Sequence, residues 1–250
     1  MRETRPIMGM PITVEVVGSV GPALRDALEE SFHYFTLVDE LFSTYKPGSE
    51  IMRINRGEIT QEAWSGEIQE VFDLAEKTKQ ESRGFFDIKK PDGTLDPSGI
   101  VKGWAINNAA DILHHCGFKN FSIEAGGDIQ TNGTNAEGLP WSVGIQHPTE
   151  AGKIIKVLYP RGQGVATSGS YTRGNHIYNP HEPQKPIHDI LSITVIGLNI
   201  LEADRFATAA FAMGKPGIEF IESVSGLEGY MVDSNGIATM TTQFEALTNL

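Results

Sequence analysis

Residues 100–133, IVKGWAINNAADILHHCGFKNFSIEAGGDIQTNG, change character half-way along. The first part spaces Val101, Trp104, Ala105, Ala109, Ile112 and Leu113 at three- and four-residue intervals, which predicts a helix over about Ile100 to His115. From Phe121 the pattern becomes strand-like and turns at a Gly-Gly step. Further strand-like runs follow at 141–148, 153–160, 165–169 and 190–197, with turn residues between them. Upstream, PITVEVV at 11–17 reads as a strand. A helix is predicted over about Pro22 to Phe42, with Leu24, Leu28, Phe32, Phe35, Val38 and Phe42 on one face, and another over about 67–80, stopping near Gly84. Helices over 202–213 and 216–224 and an Asn-Gly hairpin within 229–242 complete the chain. Long helices interleaved with runs of strands, without regular strand-helix alternation, predict an α+β fold. The expected architecture is largely antiparallel sheet with packed helices, a single two-lobed domain over 1–250.

The bulk numbers bound the class. A chain of 250 residues, 40% hydrophobic and 21% charged, has the composition of a folded globular protein with a sizeable core. Its formal net charge of −12, with no stripe of Lys or Arg, argues against nucleic acid as a partner. The lone Cys116 excludes an internal disulfide framework and reads as a core or surface thiol near a helix end. The N-terminus lacks the apolar run of a signal peptide, and no segment reaches the ~20 apolar residues that span a bilayer. A cytoplasmic protein without membrane insertion is therefore expected; oligomeric state is not legible.

Three segments combine acids, hydroxyls and small residues beyond what packing requires. DPSGIVKGWAIN (96–107) opens a helix, with Asp96 or Ser98 placed to cap free N–H groups and Lys102 in its first turn. It is either a capped helix with a solvated lysine or an anion site built on the helix N-terminus. GVATSGSYTRGNHIYNP (164–180) gathers Ser168, Gly169, Arg173 and His176 among further glycines and hydroxyls. Such a loop brings backbone close to a ligand, binds phosphate and moves a proton near neutral pH; the alternative is a hairpin with polar turns. In ADRFAT (203–208), Asp204 and Thr208 share a helical face and can reach one hard cation. Alternatively, Asp204 is an N-terminal helix acid and Thr208 bonds its own backbone. A fourth element, Glu124-Ala-Gly-Gly-Asp128, is a tight turn or stands beside a ligand; no helix pattern follows it, so it is not a dinucleotide fingerprint.

In this order the segments resemble the ApbE family of FAD:protein FMN transferases. The correspondence runs from Met8 to about Gly214 through MGM, FSTYKPGSEIMRIN (42–55), GFFDI (84–88), DPSGIVKGWAIN, EAGGDI (124–129), ATSGSYTRGNHIYNP, and SITVIG with ADRFATAAFAMG. The resemblance implies a T-fold-like domain with FAD between the lobes. Met8, Tyr45, Phe85, Phe86, Asp87, Asp96, Lys102, Ser168, Gly169, His176 and Ile177 would contact FAD, and Asp204, Thr208 and the Gly99 carbonyl would hold magnesium. It further implies transfer of FMN from FAD to a Thr or Ser hydroxyl of an acceptor protein, with AMP released, His176 as candidate base and Arg173 stabilising charge. The same site would serve a magnesium-dependent FAD pyrophosphatase, or bind FAD without turnover.

Four departures from the family pattern bear on target choice, FAD affinity and rate. Only about eight residues separate Asp87 from Asp96, where relatives often carry an insertion. Ala207 stands where some relatives have an acid, Asn107 where an acid is usual, and HIYNP with Asn179 replaces the common HIIDP.

Overall fold

The structure, a computed structural model, describes residues 1–169 and 177–249. Its strands are β1 (Arg2–Ile7), β2 (Met10–Val16), β3 (Phe121–Ala125), β4 (Asp128–Asn132), β5 (Val143–Gln146), β6 (Ile154–Leu158), β7 (Gly164–Gly169), β8 (Ile190–Gly197), β9 (Glu228–Asp233) and β10 (Ala238–Met240). The helices are α1 (Pro22–Phe42), α2 (Glu50–Asn55), α3 (Gly66–Glu81), α4 (Ser98–His115), α5 (Ile200–Met213) and α6 (Gly217–Ser223). Eight strands form one antiparallel sheet in the order β1-β2-β3-β4-β7-β8-β9-β10, and β5 pairs with β6 in a separate two-stranded sheet. The α+β class with antiparallel sheet is as predicted.

Alternation along the strands decides which face each layer covers. Ile12, Val14, Val16, Phe121, Ile123, Ile193 and Val195 point to one core together with the buried faces of α1, α4 and α5. Val165, Ile196, Tyr230 and Val232 point the other way, where Val143 and Ile145 of β5 and Leu158 of β6 close a smaller core around Phe244. β8 is thus covered on both faces, the reason ILSITVIG reads as a nearly unbroken apolar run. α4 is buried around most of its circumference, and Trp104 meets Phe42 edge-on at 5.6 Å while its Nε1 donates to Glu70 Oε1 at 2.9 Å.

Local chemistry sets the helix ends. Pro22 starts α1 after Gly21, and Asn199 accepts the Glu202 N–H at 3.0 Å to cap α5. The 84-degree φ of Gly84, just past α3, is one that only glycine adopts cheaply. Near the C-terminus, Asn235-Gly236 turns β9 into β10 as the dipeptide predicts.

Two elements are absent from the sequence expectation. β1 is an edge strand whose residues alternate between exposed and half-buried, so no apolar period marks it. Its backbone pairs with β2, and Arg2–Glu15 and Thr4–Thr13 pair across. α2 spans only six residues, too few for a period, and is set by Ser49, which accepts the Met52 N–H, and by buried Ile51. The short stretch between Asp87 and Asp96 is a tight turn in which Lys89 bridges Leu95 and Lys90 N–H donates to Thr94 O at 2.8 Å. Among the described residues no helix is long and apolar enough to cross a membrane.

Gly164 of β7 lies against the first turn of α5, and a Cβ there would sit 2.1 Å from the Ile200 backbone nitrogen. Because backbone must move, Gly164→Ala is expected to cost about 2 kcal/mol or more. Thermal unfolding should show a Tm lower by several degrees. Gly48→Ala, with open space around its Cβ and a φ outside the left-handed region, should match the parent within about a degree.

Candidate functional site

Small residues at one crossing bring the site together. Gly99 and Gly103, one turn apart on α4, face Thr208 and Asp204, one turn apart on α5. A Cβ at Gly103 would meet Asp204 Cβ at 2.6 Å and the Ile200 carbonyl at 2.9 Å, and one at Gly99 would meet Thr208 Cγ2 at 3.0 Å. The absence of side chains lets polar groups pair between the helices. Gly103 N–H donates to Asp204 Oδ2 at 2.7 Å, and the Thr208 hydroxyl donates to the Gly99 carbonyl at 3.2 Å. Both readings of these residues as locally satisfied are therefore corrected: Asp204 is bonded to a neighbouring helix rather than its own N-terminus, and Thr208 to Gly99 rather than its own backbone.

β3 and β4 bring a further acid to this crossing. The Gly126-Gly127 turn, with φ values of 58 and 95 degrees, returns the chain so that Asp128 enters the site at 1% exposure. Asp128 Oδ1 accepts the Thr167 N–H at 3.0 Å, and the Lys102 ammonium stands 2.6 Å from Oδ2 and 3.9 Å from Asp204 Oδ1. Apart from that ammonium, Asp128 Oδ2 has no hydrogen-bond donor among the described residues. Lys102 is thus an ion-paired, largely buried lysine, which corrects the solvated alternative. Burial holds the Asp204 carboxyl well above the ordinary carboxylate range; Lys102 pulls against this and the Asp128 charge adds to it.

These groups lie on the floor of a cavity of about 570 Å³. Of the residues predicted to bind ligand, it is lined by Phe85, Phe86, Asp87, Asp96, Gly99, Lys102, Ser168, Gly169, Ile177, Asp204 and Thr208. Phe85 is fixed by His181, whose ring meets it edge-on at 4.6 Å while Nε2 sits 3.1 Å from the Arg83 carbonyl. Asp87 pairs with Lys79 at 2.7 Å. Asp96 pairs with Lys90 at 3.0 Å and accepts the free N–H of Ser98, the first residue of α4, at 3.1 Å, although Pro97 occupies the N-cap position; Ser98 does not cap the helix. Burial raises the pKa of Asp96, but the bonds from Lys90 and Ser98 outweigh it and leave it below the usual value.

Other predicted residues are not brought to the cavity. Tyr45 is 94% exposed and stands apart from it. Met8 packs against the main core in a left-handed turn with φ of 56 degrees, and its successors Gly9, Met10 and Pro11 line the wall instead. Arg173 and His176 lie outside the described residues. Sequence reasoning left Glu124–Asp128 open between a tight turn and a place beside a ligand, where the structure puts it, and did not single out Lys90 or Tyr178, which also line the cavity. The Gly-Gly step was the available signal for Asp128, since it predicts a chain reversal but not what the reversed chain meets.

The ApbE family model matches residues 8–90 and 88–231. The chain belongs to the ApbE family. A protein of Klebsiella pneumoniae (strain 342) named FAD:protein FMN transferase is 31% identical over 166 residues, 63% of this chain and 47% of that one. One of the same name from Escherichia coli (strain K12) is 31% identical over 155 residues, 58% of this chain and 44% of that one. The chain spans about half the length of these curated relatives. Among solved structures, the flavin transferase ApbE from Vibrio cholerae superposes with a TM-score of 0.85 at 22% identity, covering 99% of this chain and 98% of the other. The ApbE protein from Thermotoga maritima gives 0.86 at 20% identity, covering 100% and 99%. These likenesses establish the ApbE fold across the chain.

Burial of an acid whose folded pKa is raised makes stability depend on pH with a definite sign. The contribution is fully present below the unfolded carboxylate pKa and is lost as pH rises through the raised folded value. In metal-free protein, Asp204→Asn should therefore raise Tm at pH 8 by a few degrees, and the gain should shrink as pH falls towards 4. Thermal melts of both proteins in chelator across this range would check it.

Proposed function

We propose that this ApbE-family chain is a magnesium-dependent FAD:protein FMN transferase. The observation that carries the reading is the convergence of the Asp204 carboxylate, the Thr208 hydroxyl and the Gly99 carbonyl where α4 crosses α5, on the floor of a cavity. The donors fit magnesium: all are oxygens, and two buried carboxylates share one ammonium, leaving net negative charge for a small hard cation to balance. Among the described residues no group of three or more His, Cys, Asp or Glu side chains is placed to hold a metal ion, so a cation here would draw on carbonyl, hydroxyl and substrate oxygens besides Asp204. Bound there, magnesium would draw charge from the pyrophosphate oxygens of FAD.

The chain's own residues supply binding and orientation. The positive end of the α4 dipole, with Lys102 one turn in, suits a phosphate, and Phe85 and Phe86 offer flat apolar surface to a ring. A Thr or Ser hydroxyl of the acceptor attacks the FMN phosphorus, the bond to the bridging oxygen breaks, and AMP leaves with that oxygen. The hydroxyl proton passes to His176, and Arg173 offsets charge on the phosphoryl group. Support for the acceptor and the transfer comes from the name shared by the relatives; support for the cation comes from the donor set.

The test is incubation with FAD, Mg²⁺ and an acceptor carrying a Thr- or Ser-containing flavinylation motif, following AMP and covalent flavin. Both are expected together, lost in chelator, and at least about a hundredfold slower in Asp204→Ala. Free FMN at the same rate with and without acceptor, and no covalent flavin, would replace transfer by hydrolysis. FAD binding without any AMP would leave a carrier.

A further inference from the structure

Lys102 and Asp204 are not an isolated pair, because Asp128 approaches both the ammonium and the Asp204 carboxylate. The ammonium is 2.6 Å from Asp128 Oδ2 but 3.9 Å from Asp204 Oδ1, so it leans away from the acid that a metal would need. Asp128 is held in that position independently of the lysine, since the Thr167 backbone N–H donates to its other oxygen at 3.0 Å. Asp128 is 1% exposed, so its charge has to be answered inside the protein, and the Lys102 ammonium answers it. Among the described residues, Asp204 is the other carboxylate within ion-pair distance of the ammonium.

We propose that Asp128 is a positioning residue that draws the Lys102 ammonium off Asp204 and so keeps that carboxylate available to a divalent cation. The inference rests on the reading of Asp204 as a metal ligand. It assigns a role to the Gly126-Gly127 turn, which carries Asp128 from β4 into the α4–α5 crossing. It also makes Lys102 a competitor of the metal, its charge opposing a second cation on Asp204 through a poorly screened interior.

The sign of each charge change follows. Lys102→Met removes the competitor and should tighten Mn²⁺ binding about tenfold; Asp128→Asn turns the ammonium onto Asp204 and should weaken it about tenfold. The double variant should bind Mn²⁺ several-fold more tightly than Asp128→Asn alone, because the lysine that caused most of the loss is gone. The factor by which Lys102→Met tightens binding should be larger in the Asp128→Asn background than in the parent; equal factors would mean independent charge effects and overturn the proposal.

Binding of Mn²⁺ alone to the full chain, followed by the electron paramagnetic resonance signal of free ion, reads this without turnover. Parent binding that Asp204→Ala abolishes, with the three shifts above, supports the proposal. Failure of the parent to bind, or binding indifferent to Asp204→Ala, overturns the metal-site reading and this inference with it. Asp204-dependent binding that Lys102→Met does not tighten overturns this inference alone, as does a double variant no tighter than Asp128→Asn. The Lys102→Met arm decides the matter even if Asp128→Asn does not fold.

Discussion

The site depends on how closely α4 and α5 approach each other. Two helices bearing ordinary side chains at their crossing cannot bring backbone into reach of the partner's short polar groups. Here Gly99 and Gly103 remove that barrier, and a methyl group at Gly103 would already overlap Asp204. The same contact buries a carboxylate, answers it with a backbone N–H, and turns a helical carbonyl towards a threonine hydroxyl. Packing and site chemistry are therefore one set of contacts, and neither can change alone.

The antiparallel sheet supplies what the two helices lack. α5 runs against β7 and β8, and β4 is hydrogen-bonded to β7, so the turn before β4 is aimed at the crossing. That alignment delivers Asp128 to Lys102, while β7 ends at Ser168 and Gly169 on the cavity wall. The aromatic pair Phe85-Phe86, whose second ring lies beside Gly99, follows the left-handed turn that ends α3, and His181 from the distant 177–189 segment clamps the first of these rings. Much of the wall is thus contributed by turns whose directions are set by the elements they join.

Particular elements show how far the sequence carried. α1 was legible from end to end because its buried positions recur over six turns and Pro22 marks its start. Phe85 to Asp87, Asp96, Lys102, Asp204 and Thr208 were all singled out and all line one cavity. β1 and α2 were not legible, one because an edge strand is held by backbone pairing and the other because six residues are too short to show a period. Tyr45, marked by resemblance, is exposed and does not line the cavity.

By itself the sequence determined the α+β class, the order and approximate span of the long elements, and the residue types available for hard-cation and phosphate chemistry. These follow from local rules: periodicity, turn residues and the chemistry of each side chain. Only the tertiary structure decided that Lys102 faces Asp128 before Asp204, that Asp204 is buried against Gly103, and that Thr208 reaches Gly99. The physical reason is distance along the chain. Gly103 and Asp204 are 101 residues apart, and their contact exists because sheet pairing and apolar burial fold α5 onto α4, which no local pattern in either segment encodes.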